Sequence, residues 1–146
     1  MIIAIGSDHA GLPLKRSLLA ALETLGHQVL DAGTHGTESC DYPDFAHAVA
    51  AKVAAGEARF GVLCCGSGIG MSIAANRHPA IRAVVLHNST EARLTRLHND
   101  ANIACFGART TGEEVALDAL RAFLGTEFEG GRHQRRLDKL SPTALA

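Results

Sequence analysis

The stretch Cys64-Cys65-Gly66-Ser67-Gly68-Ile69-Gly70 sets a thiol directly beside a run of glycines. An apolar run, Phe60-Gly61-Val62-Leu63, precedes it, and a small-residue stretch, Met71 to Asn76, follows. Read as strand, tight turn and helix, this order puts a thiol at the tip of a strand. The glycines let backbone N–H groups turn towards an anion, and the helix N-terminus adds its positive end. A thiolate there can act as nucleophile or general base. The N–H groups of the turn can stabilise an acyl oxyanion or an enolate oxygen. Taken alone, the stretch also fits a buried structural cysteine ahead of a glycine turn.

Several known sites fail against this turn. A dinucleotide fingerprint needs G-x-G-x-x-G and an acid at the end of the next strand. The glycines here are Gly66, Gly68 and Gly70, and the next strand ends in Leu86-His87-Asn88. A P-loop needs a lysine after its glycines, and none follows. A cysteine phosphatase loop needs an arginine where Gly70 or Met71 stands. The cysteines Cys40, Cys64, Cys65 and Cys105 form no C-x-x-C pair, which argues against a zinc ribbon or a thioredoxin-type site. Such cysteine usage fits a reduced, cytoplasmic setting.

Other polar residues offer company to the thiol. His98 has the chemistry to move a proton between sugar oxygens near neutral pH, or it caps a helix C-terminus. Asn99 offers a side-chain donor. Asp8 either faces a ligand or hydrogen-bonds its own turn. His9 is either a ligand-facing group or a solvated turn residue. The segment Arg132-His133-Gln134-Arg135-Arg136 is basic, and guanidinium groups suit phosphate because they offer paired donors in one plane. With Arg109 and His9 it could bind a phosphomonoester; its alternative is a solvated helix face. A net charge of −1 and 4% aromatic residues give nucleic acid little support.

The elements that position these groups follow from periodicity. At 146 residues the chain reads as a single domain, 1–146, with 47% apolar residues and no run near the ~18 needed to span a membrane. Met1 to Gly6 reads as a first strand and not as a signal peptide. A helix from Leu12 to Leu25 carries Leu14, Leu18, Leu22 and Leu25 on one face, with Pro13 in its first turn and Gly26 as its stop. Further strands are expected at 27–30, 60–63, 81–86 and 101–106. Helices are expected from Pro43 to Gly56, after the glycine turn, from Asn88 to Asn99, from Thr111 to Leu124 and in the basic segment. Asn88 with Glu91, and Thr111 with Glu114, have capping-box spacing. Alternating strands and helices predict a parallel sheet covered on both faces, which binds ligands beyond its carboxyl edge. Asp8, His9, Cys65 to Gly70 and Arg109 then share one rim. Cys64 should point the opposite way from Cys65, into the core.

Six blocks now stand in order along nearly the whole chain. They are Gly6-Ser7-Asp8-His9-Ala10-Gly11, Asp41-Tyr42-Pro43, Cys65-Gly66-Ser67-Gly68-Ile69-Gly70, Ala74-Ala75-Asn76, His98-Asn99-Asp100-Ala101-Asn102 and Phe128-Glu129-Gly130-Gly131-Arg132-His133. They resemble ribose-5-phosphate isomerase type B, of the wider group that includes galactose-6-phosphate isomerase subunits. The resemblance implies a Rossmann-like three-layer α/β/α sandwich with a five-stranded parallel sheet. It also implies a homodimer or dimer of dimers with shared active sites, and a metal-independent aldose–ketose isomerisation that uses no cofactor. By position it makes Cys65 the base, with Ser67 beside it where the family often has threonine. Gly66, Gly68, Ile69, Gly70 and Asn99 become the anion hole, His98 the ring-opening group and Asp8 a partner of the sugar hydroxyls or ring oxygen. His9, Arg109, Arg132, His133 and Arg136 become the phosphate pocket, some of them supplied by the second subunit through the segment from about 128. One branch of the family replaces the cysteine and uses a glutamate a few residues later; here that position is Met71, so the cysteine mechanism is expected. The implied substrate is ribose 5-phosphate, with allose 6-phosphate, galactose 6-phosphate or a tetrose phosphate as alternatives. A non-catalytic sugar-phosphate sensor would need the arginines but not Cys65, His98 and Asn99 together. The tail, 141–146, carries no chemical signal.

Overall fold

The computed structural model describes residues 1–142, and the rest of the tail, 143–146, lies outside the described residues. Strands β1 (Ile2–Ser7), β2 (Gln28–Asp31), β3 (Phe60–Cys65), β4 (Ala83–Val85) and β5 (Ile103–Gly107) alternate with helices. These are α1 (Leu12–Thr24), α2 (Tyr42–Ala54), α3 (Ile69–Ala75), α4 (Ser89–Asn99) and α5 (Glu113–Gly125), followed by a short α6 (Arg132–Leu137). Every strand pair is parallel, in the order β2-β1-β3-β5-β4.

Central strands buried on both faces read as continuous apolar runs, and β3 and β5 are buried throughout. Successive side chains take opposite faces. Ile3, Ile5, Val62, Cys64 and Phe106 meet α1, α4 and α5 through residues such as Leu18, Leu22, Ala92 and Phe123. Ala4, Leu63, Cys65 and Cys105 meet α2 and α3 through Val49, Val53, Met71 and Ala75. The chain therefore runs from β1 to one side of the sheet and from β3 to the other. The carboxyl ends of β1 and β3 flank the switch point, with Ser7 opposite Cys64 and Cys65 opposite Gly107.

The expected boundaries shift where side chains take over backbone groups. The stretches 81–82 and 101–102 fall outside the strands: the Asn102 side chain accepts from Arg82 N–H at 2.8 Å and donates to the Ala80 carbonyl. Asn88 does cap α4, accepting from Glu91 N–H at 2.9 Å, but Glu91 reaches back to His87 N–H and not to Asn88. The second capping box does not form. Gly112 is the N-cap of α5, with an extended backbone, and Thr111 Oγ1 is buried with no hydrogen-bond partner among the described residues. Helix α3 begins at Ile69, earlier than Met71, because Gly68 adopts φ 77°, the left-handed conformation that turns the chain sharply into the helix.

Two buried cations stitch the layers. Lys15, 1% exposed, donates to both Asp31 carboxylate oxygens (2.7 and 2.8 Å) and to the Thr34 carbonyl (2.7 Å). Arg96, 3% exposed, donates to Asp100 Oδ1 (2.7 Å), the Ala101 carbonyl (2.6 Å) and the Thr126 carbonyl (3.2 Å), and lies over the Phe60 ring. A buried charge is tolerated when its donors are filled in this way. Arg96 fixes the end of α4 against the segment that leads to α6.

Candidate active site

At the carboxyl edge of the sheet, a pocket of about 320 Å³ is lined by Asp8, Tyr42, Cys65, Gly66, Ser67 and Gly70, with Arg109 and Thr110 at its side. Cys65 reaches it from the end of β3. Its Sγ accepts the N–H of Gly68 at 3.1 Å, which fixes the sulfur under the glycine turn. Ser67 Oγ accepts the N–H of Ile69 at 3.3 Å. Two N–H groups of the turn thus have partners already, and Gly66 and Gly70 are the anion-hole candidates that line the pocket itself. Arg109 N–H bonds the Gly66 carbonyl at 2.9 Å, and its guanidinium lies over Gly66, 3.4 Å from where a Cβ would stand. The Tyr42 ring packs on Gly70 so closely that a Cβ there would meet it at 2.6 Å.

Asp8 accepts Gly11 N–H at 2.9 Å, the bond within its own turn that the sequence offered, and it also lines the pocket. His9 stands on the same turn but is turned to the loop ahead of α2: its Nδ1 accepts Cys40 N–H at 3.2 Å. Gly11 is required by close approach, since its φ is an ordinary −85° but a Cβ would sit 2.8 Å from the Cys65 nitrogen. Gly11→Ala is therefore expected to cost about 1–3 kcal/mol in urea unfolding as the Cys65 peptide shifts. Unchanged stability would show that the contact is not rigid.

The two adjacent thiols differ as their alternation requires. Cys64 is fully buried on the α1 and α5 face, and burial, followed by the neighbouring Cys65, pushes its thiol far above the ordinary range. Burial does the same to Cys105. Cys64 is therefore held as an inert thiol, while Cys65 opens to the pocket.

The remaining candidates gather elsewhere. Helix α4 starts at the carboxyl edge, after β4, and ends before β5 begins, so its last residues His98 and Asn99 lie at the opposite edge of the sheet from Cys65. There Glu129 N–H bonds the Leu97 carbonyl at 3.1 Å, and Gly130 and Gly131, with φ of 69° and 58°, turn the chain into α6. His133 stacks on His98, with ring centroids 4.5 Å apart and planes 19° from parallel. Glu129 Oε2 stands 3.3 Å from His133 Nε2 and 4.0 Å from His98 Nε2. Arg132 and Arg136 are exposed on α6. One chain thus carries Asp8, Cys65, the glycine turn and Arg109 at one edge of the sheet and the grouped His98, Glu129 and His133 at the other, with Asn99 at the end of α4 and Arg132 and Arg136 exposed on α6. A larger hollow of about 630 Å³ runs beside β4, with Asn76, Arg82 and Asn99 in its lining, and is distinct from the thiol pocket.

Sequence reasoning assigned no role to Tyr42, Thr110, Cys40 or Glu129. Tyr42 and Glu129 lie within the motifs Asp41-Tyr42-Pro43 and Phe128 to His133, yet only the packing on Gly70 and the approach to two imidazoles show what they touch. For Thr110 and Cys40 no sequence signal pointed to the pocket or to His9.

Comparison with known proteins agrees with this architecture. The fold is a Rossmann-like sandwich: the structure of Clostridium thermocellum ribose-5-phosphate isomerase B superposes with a TM-score of 0.95 at 51% identity, covering 96% of this chain and 95% of that one. A Thermotoga maritima ribose 5-phosphate isomerase gives 0.93 at 48% identity, covering 94% and 95%. Ribose-5-phosphate isomerase B of Escherichia coli strain K12 is 47% identical over 139 residues, 95% of this chain and 93% of that protein. The ribose/galactose isomerase family matches residues 3–140. The chain belongs to that family.

Proposed function

We propose that this chain interconverts D-ribose 5-phosphate and D-ribulose 5-phosphate, with Cys65 as the base. The observation that carries the reading is Cys65 Sγ held under the Gly68 N–H on the wall of a pocket that Arg109 flanks. After ring opening, the thiolate takes the proton from C2 of the aldose, and the C1 carbonyl oxygen becomes an enediolate oxygen stabilised by the glycine turn. The C2 hydroxyl proton then passes to O1 as C2 becomes the carbonyl, and the Cys65 thiol returns its proton to C1. His98 opens the ring, Asp8 holds sugar oxygens, and Ser67 lies beside the base. His9, Arg109, Arg132, His133 and Arg136 bind the phosphate.

The separation of the two clusters supports a homodimer, or a dimer of dimers, in which each site takes Cys65 from one copy and His98, Asn99 and the α6 residues from the other. The C-terminal segment from about 128 is the part that reaches the partner, within a single domain of 1–146. The four free cysteines support a cytoplasmic setting. No helix among the described residues is long and apolar enough to cross a membrane.

The test is turnover of ribose 5-phosphate with EDTA present, beside allose 6-phosphate, galactose 6-phosphate and erythrose 4-phosphate. Preference for ribose 5-phosphate, undisturbed by the chelator, is expected, because side chains and backbone N–H groups supply every step. Preference for another sugar would keep the mechanism and change the substrate. Binding without turnover of any of them would make the chain a sensor.

A further inference from the structure

We propose that His98, Glu129 and His133 form a binding site for a divalent transition metal of zinc-like chemistry, and that such an ion inhibits turnover there. The inhibition rests on the isomerase reading above; the binding does not.

Geometry comes first. The three ligand atoms all lie within 4.8 Å of one another, with Glu129 Oε2 at 3.3 Å from His133 Nε2 and 4.0 Å from His98 Nε2. A tetrahedral zinc ion with bonds of ~2.0–2.1 Å holds its ligand atoms about 3.4 Å apart. One pair already stands at that spacing, and closing the other requires the half-exposed His98 ring to shift within its stack on His133. Two imidazoles and a carboxylate with an open fourth position suit zinc, cobalt or nickel and suit magnesium poorly.

The second observation is independent. His133 is 5% exposed, and its Nε2 is buried with no hydrogen-bond partner among the described residues, Glu129 Oε2 standing 3.3 Å away. A buried polar nitrogen without a hydrogen bond is costly, and this one faces the Glu129 carboxylate. The frame is also fixed in advance: Glu129 N–H is tied to Leu97, His133 N–H to the Gly130 carbonyl, and Arg96 pins the end of α4. Arg132 and Arg136 oppose a cation, but both are exposed and screened by water. A bound ion would occupy the ring nitrogen of His98 and remove the group that opens the sugar ring.

The experiment titrates Co2+ into the metal-stripped full-length protein and follows its visible absorption, then displaces it with Zn2+. One saturable cobalt site per chain with four-coordinate intensity is expected, displaced by Zn2+ and not by Mg2+. Glu129→Gln and His133→Asn should each weaken binding at least the ~10–100-fold that losing even an outer-shell partner costs. The Zn2+ concentration that halves turnover, taken against each variant's own metal-free rate, should shift in step for Glu129→Gln. Cys65→Ala should keep the cobalt spectrum. No saturable binding, unchanged affinity in both ligand variants, or loss of the spectrum in Cys65→Ala would overturn the site. Binding that leaves turnover untouched would overturn the inhibition. If no sugar phosphate is turned over, the isomerase reading fails, and the cobalt titration still decides the site.

Discussion

Replacing Cys65 with alanine is expected to lower kcat with ribose 5-phosphate by about 10²–10⁴-fold, the usual contribution of a positioned general base. KM should change only a fewfold, because the proposed phosphate and hydroxyl contacts come from other residues. Cys64→Ala is the control, and it differs from the first variant by one position in the same strand. Cys64 faces the α1 and α5 layer, its thiol is pushed far up by burial, and it has no access to the pocket. Its removal should cost about 1 kcal/mol of stability through lost packing and leave most of the turnover. Equal losses in both variants would remove Cys65 from the chemistry.

Mixing two inactive variants should restore activity. Cys65→Ala and His98→Asn damage opposite edges of the sheet, so under the proposed sharing a hybrid dimer of the two holds one site with both lesions and one with neither. Random reassociation after joint unfolding makes half the dimers hybrid, and about a quarter of wild-type activity should return if the dimer is isologous. Each variant alone should stay below about 1%. Recovery no greater than the sum of the separate variants would show that each chain builds its site unaided, and the proposed sharing would fall.

Much of this architecture is legible in the sequence because two rules act over short distances. Leucines at helical spacing place α1, and Leu14, Leu18 and Leu22 are buried as that spacing requires. Alternation along a strand sends Cys64 and Cys65 to opposite layers. Strand–turn–helix order brings Asp8, Cys65, the glycine turn and Arg109 to one rim. The failures are equally local. Thr111 and Glu114 have capping-box spacing, but Gly112 takes the cap and the Thr111 hydroxyl turns inwards. The edges of β4 and β5 are trimmed by the Asn102 side chain, whose hydrogen bonds no periodicity announces. For the second cluster, the sequence names the residues but not the Glu129 contact, which depends on two positive-φ glycines and a buried arginine acting together.

Helix α4 runs the full depth of the sheet and carries His98 away from the thiol of its own chain. If catalysis needs both ends, a newly made monomer is folded but idle, and activity begins only on encounter. The rate law then contains the enzyme's own concentration. Well above the dissociation constant of the dimer, velocity rises in proportion to protein; well below it, velocity rises with the square, and tenfold dilution costs about a hundredfold in total rate. Sugar phosphate that bridges two copies would shift this threshold downwards, so that substrate promotes the assembly that consumes it.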